Sequence, residues 1–144
     1  MIEIRKMQME DFQKIQNILE EYDDFWNSNI LKSEIESENR EYIVAICDER
    51  ILGFAGILVL PDSIEITNIV VKKSDRKKGI GNMLLDKLIS IGRDLNKETI
   101  SLEVNEKNFA AIKLYETSGF KRVGLRKKYY NNIDDAIIMT KKLE

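Results

Sequence analysis

Polar and apolar positions change rhythm several times along the N-terminal part of the chain. Ile2 and Ile4 alternate with polar neighbours, the period of a short strand. Phe12, Ile15, Ile18, Leu19 and Tyr22 then recur at helical spacing behind the acidic pair Glu10-Asp11, which predicts a first helix ending near Asp24. Trp26, Ile30, Leu31 and Ile35 keep a weaker helical spacing and predict a short second helix between Phe25 and Arg40. Tyr42 to Cys47 and Ile51 to Leu60 read as strands around the tight turn Asp48-Glu49-Arg50, and Pro61-Asp62-Ser63 turns into a further strand from Ile64 to Lys72. Consecutive strands with such short connections predict an antiparallel meander.

Within the last of these strands Ile64 and Ile66 hold a period of two, but the apolar phase slips past Asn68 to Ile69, Val70 and Val71. A β-bulge would produce that slip, and so would a strand buried on both faces. Met83, Leu84, Leu85, Leu88, Ile89 and Ile91 follow as an amphipathic helix closing near Gly92. Next come a strand from Thr99 to Val104, a helix from Asn108 to Gly119, and strands from Phe120 to Arg126 and Asp134 to Lys141. Strand-helix-strand units in this half imply right-handed crossovers and some parallel pairing. The expected fold is therefore α/β (α+β): a mixed central sheet, antiparallel at its N-terminal end, with helices flanking it. Nothing in the chain is linker-like or repeated, so residues 1–144 are expected to form a single domain.

Composition removes several chemistries. The chain has no His and one Cys, which excludes Ser-His-Asp and Cys-His catalysis, His-ligated metals, an internal disulfide and Cys-cluster metal sites. Charged residues make up 33% of the chain but nearly cancel to a net -2, and 43% of residues are hydrophobic, so a packed core is expected and not disorder. Residues 1–50 hold 13 acids against 6 bases, whereas residues 101–144 hold 6 against 9. That split argues against one continuous nucleic-acid-binding face and permits two ligands of opposite sign; solvated helix faces would also produce it. The start Met1-Ile2-Glu3-Ile4-Arg5 lacks a leader pattern and no apolar run approaches the ~18 residues of a membrane span, so a cytoplasmic protein is expected, without membrane association.

The candidate chemistry begins at Arg76-Lys77-Lys78-Gly79-Ile80-Gly81, which opens a helix directly after a strand. Glycines let a backbone approach a ligand closely, first-turn amides have no internal acceptors, and the helix dipole favours an anion, so phosphate binding is physically sensible. A flexible helix entry with solvated lysines fits the same residues. Glu103 shares one face of its strand with Thr99 and Ser101, opposite Ile100, Leu102 and Val104, and stands near the carboxyl end where ligands of open α/β sheets collect. Asn108 suits an N-cap, and Tyr115 returns to the same helix face two turns on. An acid, an amide and a phenol could thus converge; taken singly, Glu103 also reads as a solvent-facing strand acid and Tyr115 as core.

Together these residues resemble the GNAT superfamily of N-acetyltransferases, whose pyrophosphate loop reads R/Q-x-x-G-x-G/A between a fourth strand and a long helix. Leu102-Glu103-Val104, Asn108, Ala110-Ala111-Ile112, Leu114-Tyr115-Glu116, Gly119-Phe120, Tyr129-Tyr130, Asp134-Asp135-Ala136 and Met139 are similar, within that superfamily, to the bacterial ribosomal-protein-alanine N-acetyltransferases. The resemblance spans essentially the whole chain. It implies the GNAT fold with a parallel central strand pair, acetyl-CoA as donor, CoA as product and no metal. It also implies that the backbone around Ile69, Val70 and Val71 meets the pantetheine arm and thioester, that the amides of the loop Arg76, Lys77, Lys78, Gly79, Ile80 and Gly81 hold the pyrophosphate, and that Asn108 contacts the cofactor. In the branch it resembles, the position of Glu103 is the general base and that of Tyr115 the general acid.

Those roles are chemically consistent. An α-amino group titrates near ~8 against ~10.4 for Lys, so a modest base can supply the free amine, and a phenol with a reference value near ~10 can protonate a leaving thiolate of similar basicity. A basic protein N-terminus, that of a ribosomal protein, is the acceptor the resemblance implies, and acids around Asp23-Asp24 and Glu34 to Glu38 could attract it. Trp26 and Tyr130 are candidate walls of the peptide groove; core packing fits Trp26 equally. A proline commonly precedes that tryptophan in the branch, whereas here it is Phe25, which leaves acceptor identity open. Acetylation of a small amine, a polyamine or an antibiotic, and a non-catalytic acyl-CoA-binding module, are the alternatives. Cys47 reads as a small buried residue, and the oligomeric state is not legible.

Overall fold

The strands form where β-branched and aromatic residues concentrate, and the chain reverses where left-handed backbone is available. The computed structural model describes residues 1–19, 33, 36–130 and 133–143. The strands are β1 (Glu3–Lys6), β2 (Arg40–Cys47), β3 (Arg50–Val59), β4 (Ser63–Val71), β5 (Thr99–Asn105), β6 (Lys121–Tyr130) and β7 (Asp134–Lys142). Among the described residues the helices with defined bounds are α1 (Phe12–Leu19), α2 (Ile80–Asp94) and α3 (Phe109–Thr117). One sheet takes the order β1-β2-β3-β4-β5-β7-β6, and the expected parallel pair is present as β4 beside β5. The chain falls into two compact units, Met1–Val59 with Thr67–Leu88, and Leu60–Ile66 with Ile89–Glu144.

In the first unit β1 pairs antiparallel with β2, and β2 with β3. The β2–β3 hairpin turns on Asp48 and Glu49, both left-handed at φ 50° and 68°, the two-residue geometry whose twist matches its strands. Met7, Ile15, Ile18, Tyr42, Val44, Ile51, Phe54 and Val70 make one buried cluster, so α1 covers the meander with its apolar stripe. From Ile51 to Ile57 β3 is buried at every position. Cys47 departs from the expectation of burial: it ends β2 only partly buried, its thiol beside the Asp48 carboxylate.

The expected phase slip in β4 is not a slip of the strand. Burial alternates without interruption from Ser63 to Val71, and Asn68 occupies an inward position in register with Ile64, Ile66 and Val70. A polar residue at a core position mimics a change of phase.

In the second unit Ser63, Ile64 and Glu65 pair in parallel with Thr99, Ile100 and Ser101, while β7 runs antiparallel to both β5 and β6. Helix α2 does not stop at Gly92. Asn96, at φ 58°, is the left-handed residue past the end: its N–H reaches the carbonyl of Arg93, and that of Lys97 the carbonyl of Gly92, both at 3.0 Å, a Schellman closure. Gly92 serves packing instead, since a Cβ there would stand 2.7 Å from Leu143 Cδ1 and 2.9 Å from Ile64 Cδ1. The strand predicted from Phe120 to Arg126 runs on to Tyr130 through an irregularity after Arg126. The predicted helix end near Asp24 and most of the second helix lie outside the described residues.

Candidate active site

The phosphate-loop candidate belongs to the first unit. After β4 the chain makes a single 3-10 turn, Lys73–Asp75, which buries Asp75 to 4% exposure. Its carboxylate accepts from Ser74 Oγ and Lys78 Nζ, each at 3.2 Å. Burial opposes ionisation of Asp75, but the hydrogen bonds from Lys78 and Ser74 and the charges of Lys78 and Arg50 outweigh it and hold the carboxyl below its usual range. A buried, ionised acid thus ties Lys78 back and fixes the entry to α2.

Two residues of the entry are left-handed, Lys77 at φ 64° and Gly79 at φ 82°. The Gly79 carbonyl accepts from Met83 N at 3.1 Å, so helical bonding starts there and the preceding amides have no partner within the helix. Ile80 is buried, whereas Arg76, Lys77, Lys78 and Gly79 are exposed. A Cβ built on Gly79 meets nothing within 4 Å. Open space over a glycine at a helix N-terminus, beside exposed cations, fits a pyrophosphate group. On β4, Ile69 and Val71 lie on the partly exposed face and Val70 points inward. Arg76 Nε lies 3.4 Å from the Val71 carbonyl and closes the turn.

The acid and the phenol belong to the second unit. Burial alternates along β5 as expected, with Ile100, Leu102 and Val104 inward and Thr99, Ser101, Glu103 and Asn105 on the other face. Glu103, its side chain 18% exposed, accepts from Arg126 Nη2 at 2.9 Å through Oε1. Asn108 is the N-cap of α3, its Oδ1 accepting from Ala111 N at 3.2 Å. Tyr115 is buried, its ring 5.7 Å from that of Phe120 at 59°; the core placement weighed above describes its ring.

Asp134 and Asp135 anchor the loop that leads into α3. Asp134 bonds Lys107 Nζ at 2.9 Å and Asn105 Nδ2 at 3.2 Å, and those two donors lower its carboxyl from the usual range. Asp135 donates its N–H to Glu106 Oε2 at 2.6 Å and accepts from Lys128 N at 2.8 Å. An open cavity of about 520 Å³ between α3 and β6, lined by residues including Phe109, Ile112, Leu125 and Ile137, contains neither Glu103 nor Tyr115.

Trp26, Asp23, Asp24 and Glu34 lie outside the described residues, as does the Tyr130 side chain; Glu36 and Glu38 are exposed. Sequence reasoning missed Asp75 and Arg126. Asp75 had a signal, an acid one residue before a basic run, but Arg126 did not, because its partner lies two strands away in a sheet order that inserts β7.

A mixed sheet with a parallel pair, flanked by helices, is the fold shared with the GNAT acetyltransferases. Comparison with known proteins agrees. The Acetyltransferase (GNAT) family profile matches residues 1–120. A Bacillus subtilis (strain 168) protein, named provisionally as a [ribosomal protein bS18]-alanine N-acetyltransferase, is 30% identical over 139 residues, 94% of this chain and 92% of its own. N-alpha-acetyltransferase RimI of Mycobacterium tuberculosis is 36% identical over 112 residues, 75% of this chain and 69% of its own. The crystal structure of the ribosomal-protein-S18-alanine N-acetyltransferase from Escherichia coli matches with a TM-score of 0.92 at 28% identity, covering 100% of this chain and 95% of that one. The chain belongs to the GNAT family and is an N-acetyltransferase. Acetyl-CoA is the donor that family uses. No helix among the described residues is long and apolar enough to cross a membrane.

Proposed function

We propose that this chain acetylates the N-terminal amine of a protein, with a ribosomal protein beginning with alanine as acceptor, and that its two units serve one cytoplasmic catalytic domain. The acceptor class follows the names of the B. subtilis and E. coli proteins. The single observation that carries the chemistry is the carboxylate of Glu103, bound through Oε1 to Arg126, with no described partner on Oε2. In a chain without histidine, such a carboxylate is the group suited to take a proton from an ammonium near neutral pH, directly or through one water.

Acetyl-CoA supplies an acyl thioester. The amides from Lys77 to Gly81, with Arg76 and Lys78 nearby, hold the pyrophosphate, and the backbone of Ile69, Val70 and Val71 lies along the pantetheine arm. A strand amide there donates to the thioester carbonyl oxygen as charge builds on it. Glu103 accepts the proton that the attacking amine loses. The carbon–sulfur bond breaks as the carbon–nitrogen bond forms, and the Tyr115 hydroxyl protonates the departing sulfur. Asn108 contacts the cofactor through its amide NH₂, its oxygen being engaged in the cap.

The test is thiol release from acetyl-CoA with basic peptides that begin with Ala, Ser or Met, the same peptides blocked at the amino terminus, and spermidine. Release that requires a free N-terminus and ranks Ala first is expected. Release with spermidine alone would move the protein to small-amine acetylation, and CoA binding without release from any acceptor would make it a binding module.

A further inference from the structure

We propose that Arg126 is a positioning residue for Glu103 and that a bulge in β6 keeps it in place; the inference rests on the reading of Glu103 as the base. Arg126 stands opposite Ala136 on β7, and Glu103 opposite Ile138 on the other edge of the same strand. The guanidinium therefore spans β7 to reach Glu103 Oε1 at 2.9 Å. It is also stacked: its central carbon lies 4.7 Å from the centroid of the Tyr129 ring.

That stacking depends on an irregular backbone. In a regular strand residues 126 and 129 point to opposite faces. Here the β6 register shifts between Arg126 and Tyr130, Lys128 is left-handed at φ 52°, and its N–H is fixed to Asp135 Oδ1 at 2.8 Å. Arg126 to Tyr130 spans four residues where Ala136 to Asp134 spans two, and this irregular stretch, two residues longer than its partner, places Tyr129 against Arg126. Arginine does not release its proton in proteins, so Arg126 acts as a fixed fork that aims the carboxylate. One Glu103 oxygen is held and the other is left to receive a proton. Orientation of a base matters steeply, since a 1 Å misplacement costs about 100-fold in rate.

The experiment is steady-state kinetics of the full chain with acetyl-CoA and an Ala-starting basic peptide, for Arg126→Ala, Arg126→Lys, Glu103→Gln and the Ala/Gln double variant. Arg126→Ala should lower kcat by about 10- to 100-fold with the KM for acetyl-CoA within about twofold. Arg126→Lys should recover part of that loss, and millimolar guanidinium should rescue the Ala variant but not Glu103→Gln. The double variant should be no slower than Glu103→Gln alone. A wild-type kcat for Arg126→Ala beside an impaired Glu103→Gln would overturn the positioning role and leave the base reading intact. A wild-type kcat for Glu103→Gln, or no turnover by the parent protein, would remove both. Losses that multiply in the double variant, without guanidinium rescue, would reduce Arg126 to a structural residue. Arg126 is half-exposed, so folding should survive; circular dichroism checks it, and Arg126→Lys still decides if the Ala variant unfolds.

Discussion

A Cβ on Gly53 would stand 2.6 Å from the backbone carbonyl oxygen of Val70 and 3.2 Å from the Cα of Val71. The backbone of β4 therefore sits where it does because β3 has no side chain at that point. Lys72 N donates to Leu52 O at 2.8 Å immediately beyond, so the same pair of strands also fixes the exit toward the phosphate-loop candidate.

Gly53→Ala should destabilise the protein by about 2 kcal/mol, because the clash is with backbone and cannot be relieved by a rotamer change. In a chain of this size that lowers Tm by about 5 °C. The residues displaced are those read as the thioester strand, so the KM for acetyl-CoA should rise while that for the acceptor changes less. Thermal unfolding and initial rates check both effects. An unchanged Tm would mean that β3 and β4 are not held as described.

Lys77 and Gly79 make an opposed pair, both left-handed but only one of them glycine. Lys77→Gly removes a strained β-carbon and should raise stability by up to about 1 kcal/mol, with CoA affinity within a few-fold because the amide remains. Gly79→Ala adds a β-carbon at φ 82° and should cost about 1 kcal/mol. It also projects into the space assigned to the pyrophosphate, so CoA binding should weaken by at least tenfold. Calorimetric titration with CoA separates the two; equal affinity in Gly79→Ala would reject the loop assignment.

Helix α2, β5 and α3 are legible in the sequence because their apolar periods run without interruption and Asn108 caps its helix by local chemistry alone. Asn68 was not legible: a polar side chain at an inward position of β4 looks like a shifted strand until burial is seen. Gly92 misled for a related reason, since a glycine near a helix end signals a stop equally well when its purpose is to admit Leu143 and Ile64. The real stop, Asn96, is the second-choice residue for a left-handed cap. Glu103 could be placed on its face from alternation, but no local pattern reveals that Arg126, across β7, is what holds it.

Arg5 and Asp11 form the best-buried ion pair described. Arg5 Nη1 and Nη2 donate to the two Asp11 oxygens at 2.7 and 2.8 Å, Gln8 N donates to Asp11 Oδ2 at 2.8 Å, and Asp11 is 3% exposed. The Arg5 hydrogen bonds, aided by Gln8 and opposed by burial, hold the Asp11 carboxyl below its ordinary range. A lowered folded value means that the contribution is complete above the unfolded value of ~3.9 and is lost as pH falls through the folded one. Asp11→Asn should therefore cost about 2 kcal/mol at neutral pH and progressively less in acid below pH ~4. Urea unfolding of both proteins at neutral and acidic pH measures the gap; a gap that stays constant would show that the pair adds nothing through ionisation.

Asn108 has two jobs assigned to one amide, and they can be separated. Its oxygen accepts from Ala111 N and caps α3, while its NH₂ is the part proposed to meet the cofactor. Asp caps about as well as Asn, and its negative charge suits a helix N-terminus, so Asn108→Asp should leave stability within about 0.5 kcal/mol. It nonetheless replaces a donor with an anion, and acetyl-CoA affinity should fall by tenfold or more if the NH₂ meets a carbonyl or phosphate oxygen. Asn108→Ala removes both functions and should lose about 1 kcal/mol of stability together with affinity. Reading Tm and CoA binding on the two variants distinguishes the assignments, because a purely structural Asn108 predicts that the Asp variant binds CoA as tightly as the parent while the Ala variant is merely less stable.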